Sequence, residues 1–101
     1  AGLNDQRRGR LLLGRAQAQY ALGQFVAAGE SIAAAIVNLD RYLANDLRTR
    51  ADAYAWGAVI AASNQAPDQA RQAARTALNL DPDVASRLIP LGREAFLGIK
   101  R

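Results

Sequence analysis

The side chains that most often carry catalysis or bind metals are missing from this sequence. It has no Cys and no His among its 101 residues, which excludes thiol nucleophiles, thiolate zinc sites, Ser-His triads and histidine bases. The remaining candidates are carboxylates and serine hydroxyls: Glu30, Asp40, Asp52, Glu94, Ser31, Ser63 and Ser86. No two of these stand at a spacing that suits acid–base or nucleophilic catalysis. The sequence therefore predicts a protein that is not an enzyme and that needs no metal or cofactor.

Arginine is the one chemically versatile residue type that is abundant. Twelve Arg and one Lys stand against nine acidic residues, which gives a formal charge of +4. Several of the bases gather near the two ends of the sequence: Arg7, Arg8, Arg10, Arg15, Lys100 and Arg101. Such a group can hold phosphates, so a basic, nucleic-acid-associated helical domain is one hypothesis. Elsewhere the arginines alternate with acids, as on solvated helix faces, and no aromatic-flanked basic motif accompanies them, which disfavours nucleic acid as a partner.

The apolar residues are small and favour helices. Half of the sequence is apolar, but 23 of these residues are Ala, and only six residues are aromatic. Ala has the highest helix propensity of all residues. A sequence of this length is typical of one domain, so we expect a single all-α domain.

The sequence shows no membrane segment, and it does not define a compartment. Its longest apolar stretch, Ala53 to Ala62, has ten residues. A membrane span needs about 20, so none is expected. The first residue is Ala1 rather than Met, which is compatible with a processed chain or an excised domain and leaves the cytoplasm, the periplasm and the exterior open.

Hydrophobic residues recur at spacings of three and four along nearly the whole sequence, which predicts five helices. The first four are expected at about 6–22, 25–46, 48–63 and 67–81. Gly23 suits the end of the first helix and Pro67 the start of the fourth. A fifth helical segment follows the breaker Asp81-Pro82-Asp83, and Pro90 should kink or split it.

The helices also repeat along the sequence. An offset of 34 residues aligns the third helix with the last segment through these pairs: Tyr54 with Leu88, Gly57 with Leu91, Ala58 with Gly92, and Ala62 with Phe96. The first helix pair aligns with the next pair at an offset of 42 residues, because its second helix and the following connection hold about eight extra residues. Small residues thus recur at corresponding points of successive helix pairs, which indicates a helical repeat.

On these residues the sequence resembles the tetratricopeptide repeat family. The segment Ala51 to Pro82 carries the most complete match: Tyr54, Ala58, Ala70, Ala77 and Pro82, ending in "ALNLDP". The first repeat matches at Leu12, Ala16, Gly23, Phe25, Ala28 and Ala35 but lacks a closing Pro, and the third matches only a first helix, at Leu88, Leu91, Gly92 and Phe96.

The resemblance implies a fold and a domain organisation. Antiparallel helix pairs would stack as a short right-handed α-solenoid. Repeat 1 would span about 9–50, repeat 2 about 51–84, and a capping segment about 85–101. The alternative is a five-helix bundle in which the Ala spacing arises by chance.

The resemblance also implies a concave groove, lined by the first helix of each repeat, that receives an extended peptide or a partner helix. Carried over position by position, the groove consists of Arg10, Leu13, Gln17 and Tyr20, then Asp52, Ala55, Trp56 and Val59, then Ile89, Arg93 and Phe96. Leu13 and Gln17 replace the Lys and Asn with which one subclass clamps a carboxy-terminal peptide, so a different mode of binding is expected. Trp56 would be the main contact, as a partly exposed indole, with Arg10 and Arg93 receiving acidic residues of the ligand. A core role for Trp56 is the alternative.

Three functions are compatible with these observations. The first is an adaptor or scaffold module that binds a protein segment, the second is a structural subunit that self-assembles through its end helices as a homo-oligomer, and the third is the basic nucleic-acid-associated domain. The sequence favours the first and does not identify the partner.

Overall fold

Five α-helices and one short 3-10 turn make up the part of the protein that the structure describes. The computed structural model describes the backbone of residues 2–100 and the side chains of residue 5 and residues 7–99. The helices are α1 (Gly2–Ala21), α2 (Phe25–Tyr42), α3 (Leu47–Ser63), α4 (Pro67–Leu80) and α5 (Pro90–Lys100), with the 3-10 turn at Val84–Arg87. The described residues contain no strand. The predicted all-α class is confirmed.

The helix ends follow local residue chemistry, with two corrections to the predicted bounds. The helix expected from about residue 6 begins at Gly2. The helix expected at 25–46 ends at Tyr42, because Asp46 caps the next helix instead. Its carboxylate accepts hydrogen bonds from the Thr49 backbone N–H at 3.2 Å and the Thr49 hydroxyl at 2.8 Å. Burial alone would raise the pKa of Asp46, but the hydrogen bonds from Thr49 and Arg10 outweigh it and lower that pKa.

The breaker after α4 and the proline within the last segment act as predicted. At the breaker, the Asp83 N–H donates to the Asp81 carboxylate at 3.0 Å, and this bond, followed by the Arg87 guanidinium, lowers the pKa of Asp81. Pro90 splits the last segment into the 3-10 turn and α5. Arg87 pairs with Asp81 and, at 2.7 Å, with Asp52 of α3, so it fixes the 3-10 turn to the end of α4 and to α3.

The helices pack in neighbouring pairs around α3. Helix α1 packs on α2 and α3 packs on α4, while α5 lies against both α3 and α4. Helix α3 also contacts α1 and α2, so it touches every other helix. Its buried residues point in all directions: Ala51, Ala53, Ala55, Trp56, Ala58, Val59 and Ile60. A helix that is apolar on every side belongs in the centre of a protein, and α3 occupies that place.

Small residues sit where the helices approach most closely. Ala16, Ala28 and Ala58 have no exposed surface, and Ala70 is 1% exposed. On α1, a Cβ at Gly9 would lie 2.6 Å from the Asn38 side-chain oxygen and 2.8 Å from a methyl carbon of Leu39. That Asn38 oxygen is buried without a hydrogen-bond partner among the described residues, since the backbone of α1 closes over it. Packing of this kind leaves no room for larger side chains.

Candidate functional site

The predicted groove along the first helices is closed, and its apolar members belong to the core except Ile89, which is 54% exposed. Trp56 is 3% exposed, Val59 and Phe96 are fully buried, and Leu13 and Tyr20 are each 9% exposed. The expectation of a partly open indole is therefore wrong. The physical reason is that α1 and α5 both pack on α3. The Trp56 ring meets the Tyr20 ring edge-on at a centroid distance of 5.5 Å, and it also lies against the backbone of Gly92 on α5.

The predicted polar members of that groove bond within the protein. Arg10 donates to Asp46 at 3.0 Å, and Asp52 pairs with Arg87. The Arg93 guanidinium donates to the carbonyl oxygens of Ala85, Ser86 and Leu88 at 3.1–3.2 Å, which holds the 3-10 turn against α5. Arg10 and Arg93 were predicted to receive acidic residues of a ligand, but they fix loops and helix ends in this structure. Gln17 is half-buried.

An open groove exists on another side of the molecule, between α2 and α4. These two helices each pack on α3 rather than on each other, so the α3 backbone at Gly57 lies at the bottom of the space between them. The groove has a volume of about 480 Å³. Its lining, which we call the α2–α4 groove, comprises Gly29, Ile32, Ala33, Ile36, Tyr54, Gly57, Ile60, Ala61, Asn64, Ala66, Gln69, Gln72, Ala73 and Thr76.

The α2–α4 groove is apolar at its base and uncharged throughout. Ile36 is half-buried and offers aliphatic surface, whereas Ile32 and Ile60 at the base are 4% and 1% exposed, and small residues keep the space open. The polar groups are three amides, on Asn64, Gln69 and Gln72, and two hydroxyls, on Tyr54 and Thr76. An amide side chain both donates and accepts hydrogen bonds, as a peptide group does. The groove can therefore receive aliphatic side chains at its base and bond a polypeptide backbone along its wall.

One end of the groove is built on a charged cluster that joins α2 to α3. The Tyr54 hydroxyl donates to Asp40 at 2.6 Å, and the Arg50 Nε donates to the same carboxylate at 2.8 Å. Burial and the hydrogen bond to Asp40 raise the pKa of Tyr54 to about 12. The tyrosine ring is thus held neutral and fixed at the groove's edge.

The other end of the groove is fixed by Asn64, which follows the last residue of α3. Its side-chain amide donates to the Phe25 carbonyl at 2.9 Å and so ties α3 to the first residue of α2. The next residue, Gln65, adopts a left-handed backbone conformation with φ of 61°, which turns the chain into α4. Both ends of the groove therefore have bonded connections between the helices that form it.

Sequence reasoning did not find this groove. Ile32, Ile36 and Ala73 lie on apolar stripes that predict core packing, and Gln69 and Gln72 look like ordinary solvated residues. Among the residues of this groove, only Gly29 and Gly57 give a sequence signal for it, because a glycine inside a helix often has a packing or functional reason.

Comparison with protein-family models, with curated proteins and with solved structures found no match to this chain. Within the described residues, acidic side chains do not cluster in a group of three that could hold a metal ion. No described helix combines the length and the apolar character needed to cross a bilayer.

Proposed function

We propose that this protein is a protein-interaction module, an adaptor or scaffold that binds one uncharged, apolar segment of a partner protein in the α2–α4 groove. The observation that carries the proposal is the open groove itself, with an aliphatic base, an amide wall and no charged side chain in its lining. Binding sites are commonly concave and mostly apolar, with a few placed polar groups. No catalytic activity is part of the proposal.

The chemistry of the lining supports a polypeptide as the occupant. Aliphatic side chains of a partner would cover the half-buried Ile36 and Ala73 and the exposed Ala33, and each square ångström of apolar surface removed from water contributes about 25 cal/mol. Gln69 and Gln72 stand one helical turn apart on α4, where their amides would bond successive peptide groups. A charged ligand would lose its hydration in this groove and find no opposite charge.

The resemblance to tetratricopeptide repeats is part of the same proposal. It is supported by the paired packing of the helices and by the burial of Ala16, Ala28, Ala58 and Ala70, the positions at which that family keeps small residues. The proposal differs from the family expectation in one respect, because the binding surface lies between the second helices of the pairs rather than along the first.

The test is selection from a random peptide library followed by titration of the selected peptides. The groove variant is Gln69→Glu with Gln72→Glu, and its matched control is Ala18→Glu with Asn79→Glu, which adds the same charge at exposed positions outside the groove. The selected peptides should be apolar and uncharged and bind independently of salt. The groove variant should bind them at least about tenfold more weakly, a loss of about 1.4 kcal/mol, while the control keeps its affinity.

Two results would overturn the proposal. An equal loss in the control would show that the groove is not the contact. Light scattering that finds a dimer, dissociated by the groove variant, would make a second copy of the chain the occupant and favour the self-assembling subunit instead.

A further inference from the structure

A second groove lies along the first helix pair, and residues of α1 and α2 alone line it. Its volume is about 440 Å³, and its lining, which we call the basic groove, comprises Arg8, Leu12, Ala33, Ala34, Val37, Asn38, Arg41 and Tyr42. It shares only Ala33 with the α2–α4 groove. The apolar part of its lining is open to solvent, since Val37 is 69% exposed. An apolar surface exposed in this way is available to a partner.

The charge around this groove is positive and unpaired. The two arginines of its lining, Arg8 and Arg41, are exposed and form no ion pair with any described residue. Elsewhere the arginines that stabilise the fold do have carboxylate partners, as Arg50 and Arg87 show. The one acid on α2 that is close to a cation, Asp40, already accepts bonds from Arg50 and Tyr54. The positive charge of the basic groove is therefore left for a partner to neutralise.

The apolar lining favours an acidic protein segment over a nucleic acid as the partner that binds in the basic groove. Leu12, Ala33, Ala34 and Val37 offer aliphatic surface between the two arginines of the lining, which phosphates and sugars do not need. The aromatic ring in the lining, Tyr42, is covered by the Arg41 guanidinium at 5.3 Å from its centre. A single aromatic ring does not form the stacking platform for successive bases that sequence-tolerant single-strand binding uses.

We propose that the basic groove binds an acidic amphipathic helix of a partner protein. Two antiparallel helices with a groove between them form a seat for a third helix. The lining on α2 extends from residue 33 to residue 42, which is about 14 Å or about two and a half helical turns. Leucine-type side chains on one face of the bound helix contact Leu12 and Val37, and glutamate or aspartate at the edges of that face pairs with Arg8 and Arg41. This surface is independent of the α2–α4 groove and of the function proposed for it.

The probe is a synthetic peptide of about 18 residues, five helical turns, with Leu on one face and Glu on the other. A scrambled peptide of identical composition, without an apolar face, is the first control.

The charge variant is Arg8→Glu with Arg41→Glu. Its matched control is Arg48→Glu with Arg75→Glu, two exposed arginines outside the basic groove. Val37→Ser removes apolar contact without changing charge. Urea unfolding of each variant confirms that the fold is intact.

The amphipathic peptide should bind the wild-type protein at least about tenfold more tightly than the scrambled peptide, and the charge variant should lose at least that factor. The matched control should bind nearly as well as the wild type. Val37→Ser should weaken binding and leave its salt dependence unchanged, because it removes no charge.

Three outcomes would overturn the proposal. They are absence of binding by the amphipathic peptide, equal binding of the scrambled peptide, and an equal loss in the matched control. If an oligonucleotide displaces the peptide and loses its own affinity in the charge variant but not in Val37→Ser, the groove is a polyanion site and the nucleic-acid hypothesis replaces this one.

Discussion

Trp56 is a core residue at the junction of three helices. Its indole stands in contact with Tyr20 of α1 on one side and Gly92 of α5 on the other, and only 3% of the residue is exposed. It is one of three large aromatic residues that are buried on these helices, with Tyr20 of α1 and Phe96 of α5. Its role is therefore to hold α1 and α5 on α3.

Replacing Trp56 by Ala should destabilise the protein by about 3 to 5 kcal/mol, because the removed ring leaves a cavity that small neighbours cannot fill. Urea unfolding followed by circular dichroism measures the loss. A variant that keeps its stability would show that the indole is not part of the core.

Titration of the Tyr54 hydroxyl should show the effect of its surroundings on its pKa. Burial and the hydrogen bond to Asp40 raise its pKa to about 12, so tyrosinate absorbance should show one of the three tyrosines ionising near that pH. A raised pKa in the folded state means that the stabilisation is present below the ordinary pKa of 10 and disappears as the pH rises through 12. The Tyr54→Phe variant should lack the late titration step. If the step persists in that variant, it belongs to another tyrosine.

At the scale of helices, two glycines of α1 have opposite roles. A Cβ at Gly9 would meet Leu39, which is fully buried, whereas a Cβ at Gly14 would have no atom within 4 Å. Gly9→Ala should therefore cost about 1 to 3 kcal/mol through overpacking. Gly14→Ala should stabilise the protein by about 0.5 to 1 kcal/mol, since Ala favours the helix. Thermal unfolding of the two variants distinguishes these effects, and shifts of the same sign would contradict the packing described here.

Three alanines on α2 and α4 test the same packing of the helices. Ala28→Leu and Ala70→Leu should each destabilise the protein by about 1 to 3 kcal/mol, because both residues are buried between helices. Ala33→Leu should have little effect, since Ala33 is exposed. Equal losses of stability at all three positions would show that the assignment of buried and exposed faces is wrong.

Much of the element structure was predictable from local residue patterns, and the site was not. Gly23, Pro67 and Pro90 define helix ends through their own backbone preferences, and Ala28 and Ala70 lie on recognisable apolar stripes. The end of α2 was missed because Asp46, four residues further on, caps the next helix. Trp56 was misplaced because its burial depends on how closely α1 and α5 approach α3, which no local pattern specifies.

At the scale of the whole molecule, the central position of α3 decides which surfaces are open. Because α1 and α5 cover one side of α3, the first-helix face is filled, and because α2 and α4 both pack on α3, a space remains between them. That space has no charged residue in its lining, whereas Arg8 and Arg41 line the groove along the first helix pair. The two grooves therefore suit partners of different chemistry.

Binding of a partner segment in the α2–α4 groove can be located by NMR. A library-selected peptide is titrated into the protein, and the backbone amide chemical shifts are followed. The largest shift changes should occur at Gly29, Ile36, Gly57 and Gln72, which line the groove on three helices. Shift changes concentrated instead at Arg10, Gln17 and Arg93, on the face formed by the first helices, would contradict binding in the α2–α4 groove.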